Sequence, residues 1–299
     1  MVYTVTLNPA IDYYMKISEL KPDVQTADSA DLNYGGKGIN VSVILANLGI
    51  ETTALGFVGG YTGDKFCELL GKEGVKTDFV RIDGETRINV KIEGAANIIV
   101  NAKGPEITLS NEQELISKLS GLTDKDYLVL SGSIPSSMDG LAYERLIEAV
   151  RRPHTNLIAD TTGEALKTVL KYNPFLVKPN HYELEDFLGR KMTTREDCIA
   201  GAVQLQKMGA KNVIVSLGKN GMILVTKSGE VFTEPVIDGV VKNTTGCGDS
   251  TVAGFIAGYL MSGDYKEALH LASICANATA FSSRLATKEE IEALAKLYE

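Results

Sequence analysis

Tyr127-Leu-Val-Leu130, Asn156-Leu-Ile-Ala159, Phe175-Leu-Val177 and Val213-Ile-Val-Ser216 are short apolar runs spaced along residues 127–216. None alternates polar with apolar, as a strand with one wet face would. Helical patterns fill the intervals, near 139–150, 163–171, 181–188 and 194–208. Strands with no polar face, alternating with helices, predict an α/β fold with a mostly parallel sheet covered on both sides.

The same rhythm extends outward. Residues 2–8 read as a strand ending at Asn8-Pro9, and residues 38–48 as a helix closed by Gly49. A strand near 52–58 and a helix near 63–73, closed by Gly74, follow. Beyond residue 248 the pattern is helical, near 248–262, 264–282 and 287–298. Two regions break the rhythm, 12–20 and 84–104. In Arg87-Ile-Asn-Val-Lys-Ile92 the polar residues Arg87, Asn89 and Lys91 share one strand face and Ile88, Val90 and Ile92 the other. Such strands suit a small antiparallel flap over one end of the main sheet.

The 299 residues can bury a large core, as one sizeable domain or two modest ones. A net charge of −8 argues against general affinity for nucleic acid or acidic membranes, so an anionic ligand needs a local cluster of cations. Cys67, Cys198, Cys247 and Cys275 form no C-x-x-C pair, which disfavours a zinc site and fits a reducing cytoplasm. No apolar run is long enough for a membrane span. His154, His181 and His270 are scattered and no G-x-S-x-G elbow accompanies them.

Asn243-Thr-Thr-Gly-Cys-Gly-Asp-Ser-Thr251 opens a strong helical pattern. Gly246, Cys247 and Gly248 give compact backbone, and the first-turn amides of a helix form an anion site. Asp249 is placed to take a proton from an attacking hydroxyl. An acidic residue in a first helical turn is also stabilising without any chemistry. Gly35-Gly-Lys-Gly-Ile-Asn40 is a second glycine loop before a helix, neither a Walker A loop nor a dinucleotide fingerprint. Asn180 and Glu183 have the spacing of a capping box, and the same oxygens suit a hydrated Mg²⁺ held largely through water. Ser216-Leu-Gly-Lys-Asn-Gly221 follows a strand at the edge where open sheets bind ligands, or forms a plain turn before Met222-Ile-Leu-Val225. Ser131-Gly-Ser133 likewise lines a pocket or makes a turn.

Gly35-Gly-Lys-Gly-x-Asn40, Lys178-Pro-Asn-x-x-Glu183 and Thr244-Thr-Gly-Cys-Gly-Asp249, in this order, resemble the PfkB (ribokinase-like) family of sugar kinases across nearly the whole chain. Thr4-Val-Thr-Leu-Asn-Pro-Ala-Ile-Asp12 and Thr86-Arg-Ile-Asn-Val-Lys91 resemble the branch acting on phosphorylated ketohexoses. The resemblance implies one kinase domain over 1–299, a three-layer α/β/α sandwich with a small β-sheet lid from about 12–34 and 84–104. It implies ATP and Mg²⁺ as cofactors, and fructose 1-phosphate phosphorylated at its 6-hydroxyl. Tagatose 6-phosphate phosphorylated at its 1-hydroxyl is the alternative, and a non-catalytic sugar or nucleotide sensor the second.

Residue by residue, the resemblance implies Asp249 as base and the Gly246–Gly248 backbone, with Cys247 between, as anion hole. Asp12, Gly36, Lys37, Asn40 and Ser133 would hold the sugar, with Arg87, Asn89 and Lys103 near its phosphate. Lys178, Ser216, Gly218, Gly221, Gly248 and Asn277 would hold ATP, and Asn180 and Glu183 the magnesium. A homodimer through the lid is compatible with it. Two departures stand out. Asn243 replaces the usual Asp, and Cys247 replaces the usual Ala, which puts a thiol at a helix N-terminus where its pKa is expected to fall.

Overall fold

The computed structural model describes residues 1–19, 24–95, 97–150 and 156–298. His154 lies outside them. From the N-terminus, β1 (Val2–Thr6) leads into β2 (Ala10–Ile17) and β3 (Ser29–Gly35), then α1 (Lys37–Asn47), β4 (Thr52–Gly59) and α2 (Gly60–Lys72). Short β5 (Lys76–Thr77) and β6 (Val80–Ile82) precede β7 (Arg87–Gly94) and β8 (Ile98–Val100). Next come α3 (Leu109–Leu119), β9 (Tyr127–Ser131), α4 (Ala142–Val150), β10 (Asn156–Asp160), α5 (Gly163–Leu170) and β11 (Leu176–Val177). The pair α6 (His181–Leu188) and α7 (Arg195–Lys207) leads to β12 (Asn212–Ser216), β13 (Met222–Val225) and β14 (Val231–Glu234). Three helices close the chain: α8 (Cys247–Ser262), α9 (Tyr265–Phe281) and α10 (Lys288–Tyr298).

The large sheet runs β14-β13-β12-β11-β10-β9-β1-β4-β5, with β6 also on β4. It is parallel from β12 to β5 and β6, and β13 and β14 add an antiparallel edge. Successive strand residues face opposite layers. Leu128, Leu130, Val213 and Val215 pack with residues of α3 to α7. Val129, Ile158 and Ile214 pack with residues of α1, α8, α9 and α10. The expected three-layer α/β/α sandwich is therefore what the apolar runs build.

The second sheet is four-stranded, β3-β2-β7-β8. The expected flap at 12–20 and 84–104 is this sheet, begun two residues earlier at Ala10 and joined by β3; the parts at 20–23 and 96 lie outside the described residues. It is not wholly antiparallel: β2 and β7 run parallel, with Asp12 opposite Asn89 and Tyr14 opposite Lys91. Thr86, which is buried, anchors its root, accepting from the Gly59 amide at 3.0 Å and from Thr62 Oγ1, through its own carbonyl, at 2.7 Å.

α8 is buried continuously from Asp249 to Gly258. A Cβ on Gly254 would come within 2.7 Å of the Leu271 carbonyl oxygen, and one on Gly258 within 2.7 Å of Ala268 Cα. α8 and α9 thus pack backbone to backbone, which only glycine permits, and this fixes where the α8 N-terminus lies.

Candidate active site

The parallel strands end at one edge, and the second sheet stands beside it. Between them lies a cavity of about 600 Å³. Thr6, Ser131 and Asp160 end β1, β9 and β10 there, and Lys178 and Ser216 follow and end β11 and β12. Open sheets bind ligands at this edge because helix N-termini and loops converge on it. Thr6 Oγ1, Asn8 Oδ1, Ser131 Oγ and Asp160 Oδ2 are buried there without a hydrogen-bond partner. Orphaned polar atoms of this kind mark a place that a ligand or ordered water completes.

Gly246 takes the left-handed conformation (φ 85°) as N-cap of α8, which puts Asp249 in the first turn, 6% exposed. Asn40 Nδ2, from α1, donates to Asp249 Oδ2 at 2.7 Å. Burial, then the nearby Asp160 carboxylate, pushes Asp249 up to about 7, although the Asn40 bond and the Lys37 and Lys178 ammonium groups pull the other way. A carboxyl at that value is matched to accepting a proton near neutrality. Asn40, expected to hold sugar, is thus bonded to the expected base itself.

Asp160 is a residue that sequence reading missed. It is 1% exposed, with Lys37 Nζ at 3.2 Å and Lys178 Nζ at 3.5 Å from Oδ1. Burial would raise its pKa, but Lys178 and Lys37 outweigh burial and hold it below the usual carboxylate range. Its one available signal was position. It ends an apolar run at the edge where Ser131, Lys178 and Ser216 also sit.

On the lid, Asp12 is 6% exposed and faces the cavity. Its Oδ1 accepts from Asn89 Nδ2 at 2.9 Å and its Oδ2 from Lys91 Nζ at 2.5 Å. A Cβ on Gly35 would lie 2.7 Å from the Asp12 carboxyl carbon and both oxygens, so the carboxylate occupies the space that a side chain at 35 would take. Arg87 donates through Nε and Nη2 to the Asn8 carbonyl (3.2 and 2.9 Å) and through Nη1 to that of Ala102 (3.2 Å). It ties the lid to the end of β1.

Gly36, Lys37, Ser133, Gly246 and Gly248 also line the cavity. Lys178 Nζ would lie 3.1 Å from a Cβ on Gly248, so its ammonium sits against the first turn of α8. Lys103 is exposed and is not among the lining residues. Gly218, which opens a single 3₁₀ turn, and Gly221, which closes it, take positive φ, 57° and 83°. Asn277 is buried on α9, where Oδ1 accepts the Ile237 amide at 3.2 Å and fixes the segment after β14.

The thiol expectation is overturned. Burial, and then the Asp249 carboxylate, raises Cys247 to about 11. Desolvation outweighs the helix terminus, so this thiol is not activated.

Asn180 and Glu183 form the capping box that their spacing suggests. Asn180 Oδ1 accepts the Glu183 amide at 2.9 Å, and Glu183 Oε2 the Asn180 amide at 2.8 Å. Among the described residues no group of three His, Cys, Asp or Glu is placed to hold a metal. Glu183 and Asp160 both line the cavity, and Asp160 Oδ2 is buried without a hydrogen-bond partner. That sparse set of hard oxygens fits Mg²⁺, which keeps several waters and takes one or two carboxylates with substrate phosphates.

A family profile described as pfkB family carbohydrate kinase matches residues 2–291. A 1-phosphofructokinase of Bacillus subtilis is 38% identical over 98% of this chain and 97% of its own length. A D-tagatose-1-phosphate kinase of Bacillus licheniformis is 35% identical, over 98% and 96%. Phosphofructokinase-2 of Escherichia coli, solved with fructose-6-phosphate, superposes with a TM-score of 0.91 at 27% identity, covering 100% of this chain and 99% of that one.

Proposed function

The chain belongs to the pfkB family of carbohydrate kinases, and from that premise we propose that it phosphorylates fructose 1-phosphate at the 6-hydroxyl, using ATP and Mg²⁺. The product is fructose 1,6-bisphosphate. The observation that carries the reading is Asp249, buried in the first turn of α8, bonded to Asn40 at 2.7 Å and facing the cavity.

The whole chain works as one kinase domain with the second sheet as its lid. Fructose 1-phosphate lies with its 6-hydroxyl at Asp249, its ring hydroxyls at Asp12 and Asn40, and its phosphate under the lid. ATP runs along the β11–β12 side, past Lys178, Ser216 and the Gly218–Gly221 turn. As the 6-oxygen attacks the γ-phosphorus, its proton passes to Asp249 Oδ1 and the bond to the ADP oxygen breaks. The first-turn amides of α8 face the migrating phosphoryl, and Lys37 and Lys178, anchored on Asp160, stand ready to balance its charge. Glu183 and Asp160 would hold Mg²⁺, which when bound neutralises charge on the donor phosphates. Because the site excludes bulk water once sugar is bound, ATP is spared hydrolysis.

The D-tagatose-1-phosphate kinase relative favours a second reading. That sugar carries its phosphate on the same carbon and differs from fructose 1-phosphate at C4, which brings the rival closer than tagatose 6-phosphate. A coupled assay of ATP consumption on fructose 1-phosphate, tagatose 1-phosphate and fructose 6-phosphate tests both. The highest kcat/KM is expected on fructose 1-phosphate, and a higher value on fructose 6-phosphate overturns the reading.

No helix among the described residues is long and apolar enough to cross a membrane. All four cysteines are free, which with ATP as donor supports a cytoplasmic location. The lid also supports a homodimer. Its outer face carries Val90 and Ile92 beside Ile88, Ile98 and Val100, exposed by 42, 38 and 56%. Exposed apolar strands of this kind invite pairing. Sedimentation should give a dimer for the wild type and a monomer for Ile92→Glu; unchanged mass in the variant rules out this interface.

A further inference from the structure

The cavity holds four cations among the described residues, Lys37, Arg87, Lys91 and Lys178. Lys37 and Lys178 both reach Asp160 and belong to the phosphoryl-transfer end. That leaves Arg87 and Lys91 at the lid end, beside Asp12. Three of the five Arg87 N–H groups are already taken by the Asn8 and Ala102 carbonyls. Lys91 is differently placed. Its ammonium bonds Asp12 Oδ2 at 2.5 Å and the Tyr14 hydroxyl at 2.8 Å, and lies 4.7 Å from the Tyr14 ring centre. An ammonium has three N–H donors, so one remains.

Charge decides what that donor is for. Asp12 is paired with Lys91 and Arg87 meets only neutral carbonyls, so the three charges that line the cavity at the lid end sum to plus one, and without Lys91 they would sum to zero. A dianionic phosphate is held there only against that surplus. Burial works against the Lys91 charge, but Asp12 and Tyr14 hold the ammonium above the ordinary lysine range. Lys91 also touches the carboxylate expected to bind the sugar hydroxyls. One side chain therefore spans the two halves of a phosphosugar.

We propose that Lys91 is a specificity-determining residue: its free N–H takes the phosphate of the ketohexose phosphate, while its bond to Asp12 holds that carboxylate ready for the sugar hydroxyls. The site then demands phosphorylated sugar, because only a phosphate uses the surplus charge. The inference rests on the kinase reading above and assigns a role to Lys91, which closes the Thr86–Lys91 motif and which the resemblance left without one.

The test is steady-state kinetics of wild type, Lys91→Met and Lys91→Arg with fructose 1-phosphate and with unphosphorylated fructose. Loss of a charge-assisted bond predicts a rise in KM for fructose 1-phosphate of about 10- to 100-fold in Lys91→Met. KM for ATP should stay within about twofold. Preference for phosphorylated over plain sugar should fall, by less than the KM rise because plain sugar also loses the held Asp12, and Lys91→Arg, which keeps the charge, should retain most of it. Inorganic phosphate should compete with fructose 1-phosphate in the wild type and lose that competition in Lys91→Met. If both sugars weaken equally in Lys91→Met, Lys91 only props up Asp12 and the proposal fails. Should Lys91→Met not fold, Lys91→Gln replaces it, judged by the same ratio and the same phosphate competition. A wild type that is active on fructose 1-phosphate, with the ratio unmoved in the variants, sinks this inference alone. A wild type inactive on every phosphoketose sinks the kinase reading and this inference with it.

Discussion

Asp249→Asn should lower kcat by about 10²–10⁴, the usual contribution of a positioned general base. The change is nearly isosteric, and the Asn40 contact at Oδ2 survives as a neutral hydrogen bond after an amide flip. KM for both substrates should therefore move little. An Asp249→Asn enzyme with full kcat would remove the base assignment. The same variant should be more stable than the wild type at pH 8. Asp249 is raised from 3.8 to about 7 in the folded protein, so folding favours its protonated form. Native stability then falls as pH rises from the unfolded value toward 7 and is flat above it. The asparagine variant escapes a loss on the order of 4 kcal/mol at most. Melting temperatures of the two proteins should coincide near pH 4 and diverge toward pH 8. Coincidence at both would show that the carboxylate is not held uncomfortably.

Asp160→Leu should be strongly destabilising. It leaves two ammonium groups, Lys37 and Lys178, at the cavity floor without their shared counter-ion. Breaking a buried pair from one side costs about 3–5 kcal/mol. Here the sign with pH is the reverse of that for Asp249. The folded Asp160 carboxyl is held low, so its contribution is present above the unfolded value and disappears as pH falls through the folded one. A urea titration at pH 7.5 and again near pH 3 measures it, and the wild type and variant should draw together at the acid end. Asp160→Asn offers a milder form that reports on chemistry. Removing this charge also removes the carboxylate repulsion that, after burial, raises Asp249, so the acid limb of kcat/KM should move to lower pH. An unmoved limb would separate the two carboxylates.

The layered fold was readable because strands buried on both faces leave no polar alternation, and 128, 130, 213 and 215 must face one layer while 129 and 214 face the other. The lid was readable from the alternation of Arg87, Asn89 and Lys91 with Ile88, Val90 and Ile92. Its parallel β2–β7 pairing was not, because nothing local records which strand a segment pairs with. α3 went unread for a similar reason. Its apolar positions Leu109, Leu115, Ile116 and Leu119 are few, and its Thr108–Asn111 capping box uses Asn where Glu or Gln is the usual signal. Asp160 was hidden by distance, with Lys37 123 positions away. The Cys247 expectation failed because a helix terminus is visible in a sequence and the depth of its burial is not.

The absence of a side chain at residue 35 has a practical consequence for redesign. Asp12 fills the volume that a methyl group there would claim, so the two positions share a single allotment of space. A mutant library that varies position 12 to accept new sugars while holding 35 fixed explores only replacements shaped like aspartate. A lengthened strand β3 residue could be tolerated only beside a shortened one at 12. Substitutions at the two sites are therefore expected to be contingent on each other, and a single-site scan would score Gly35 as immutable although it touches no substrate.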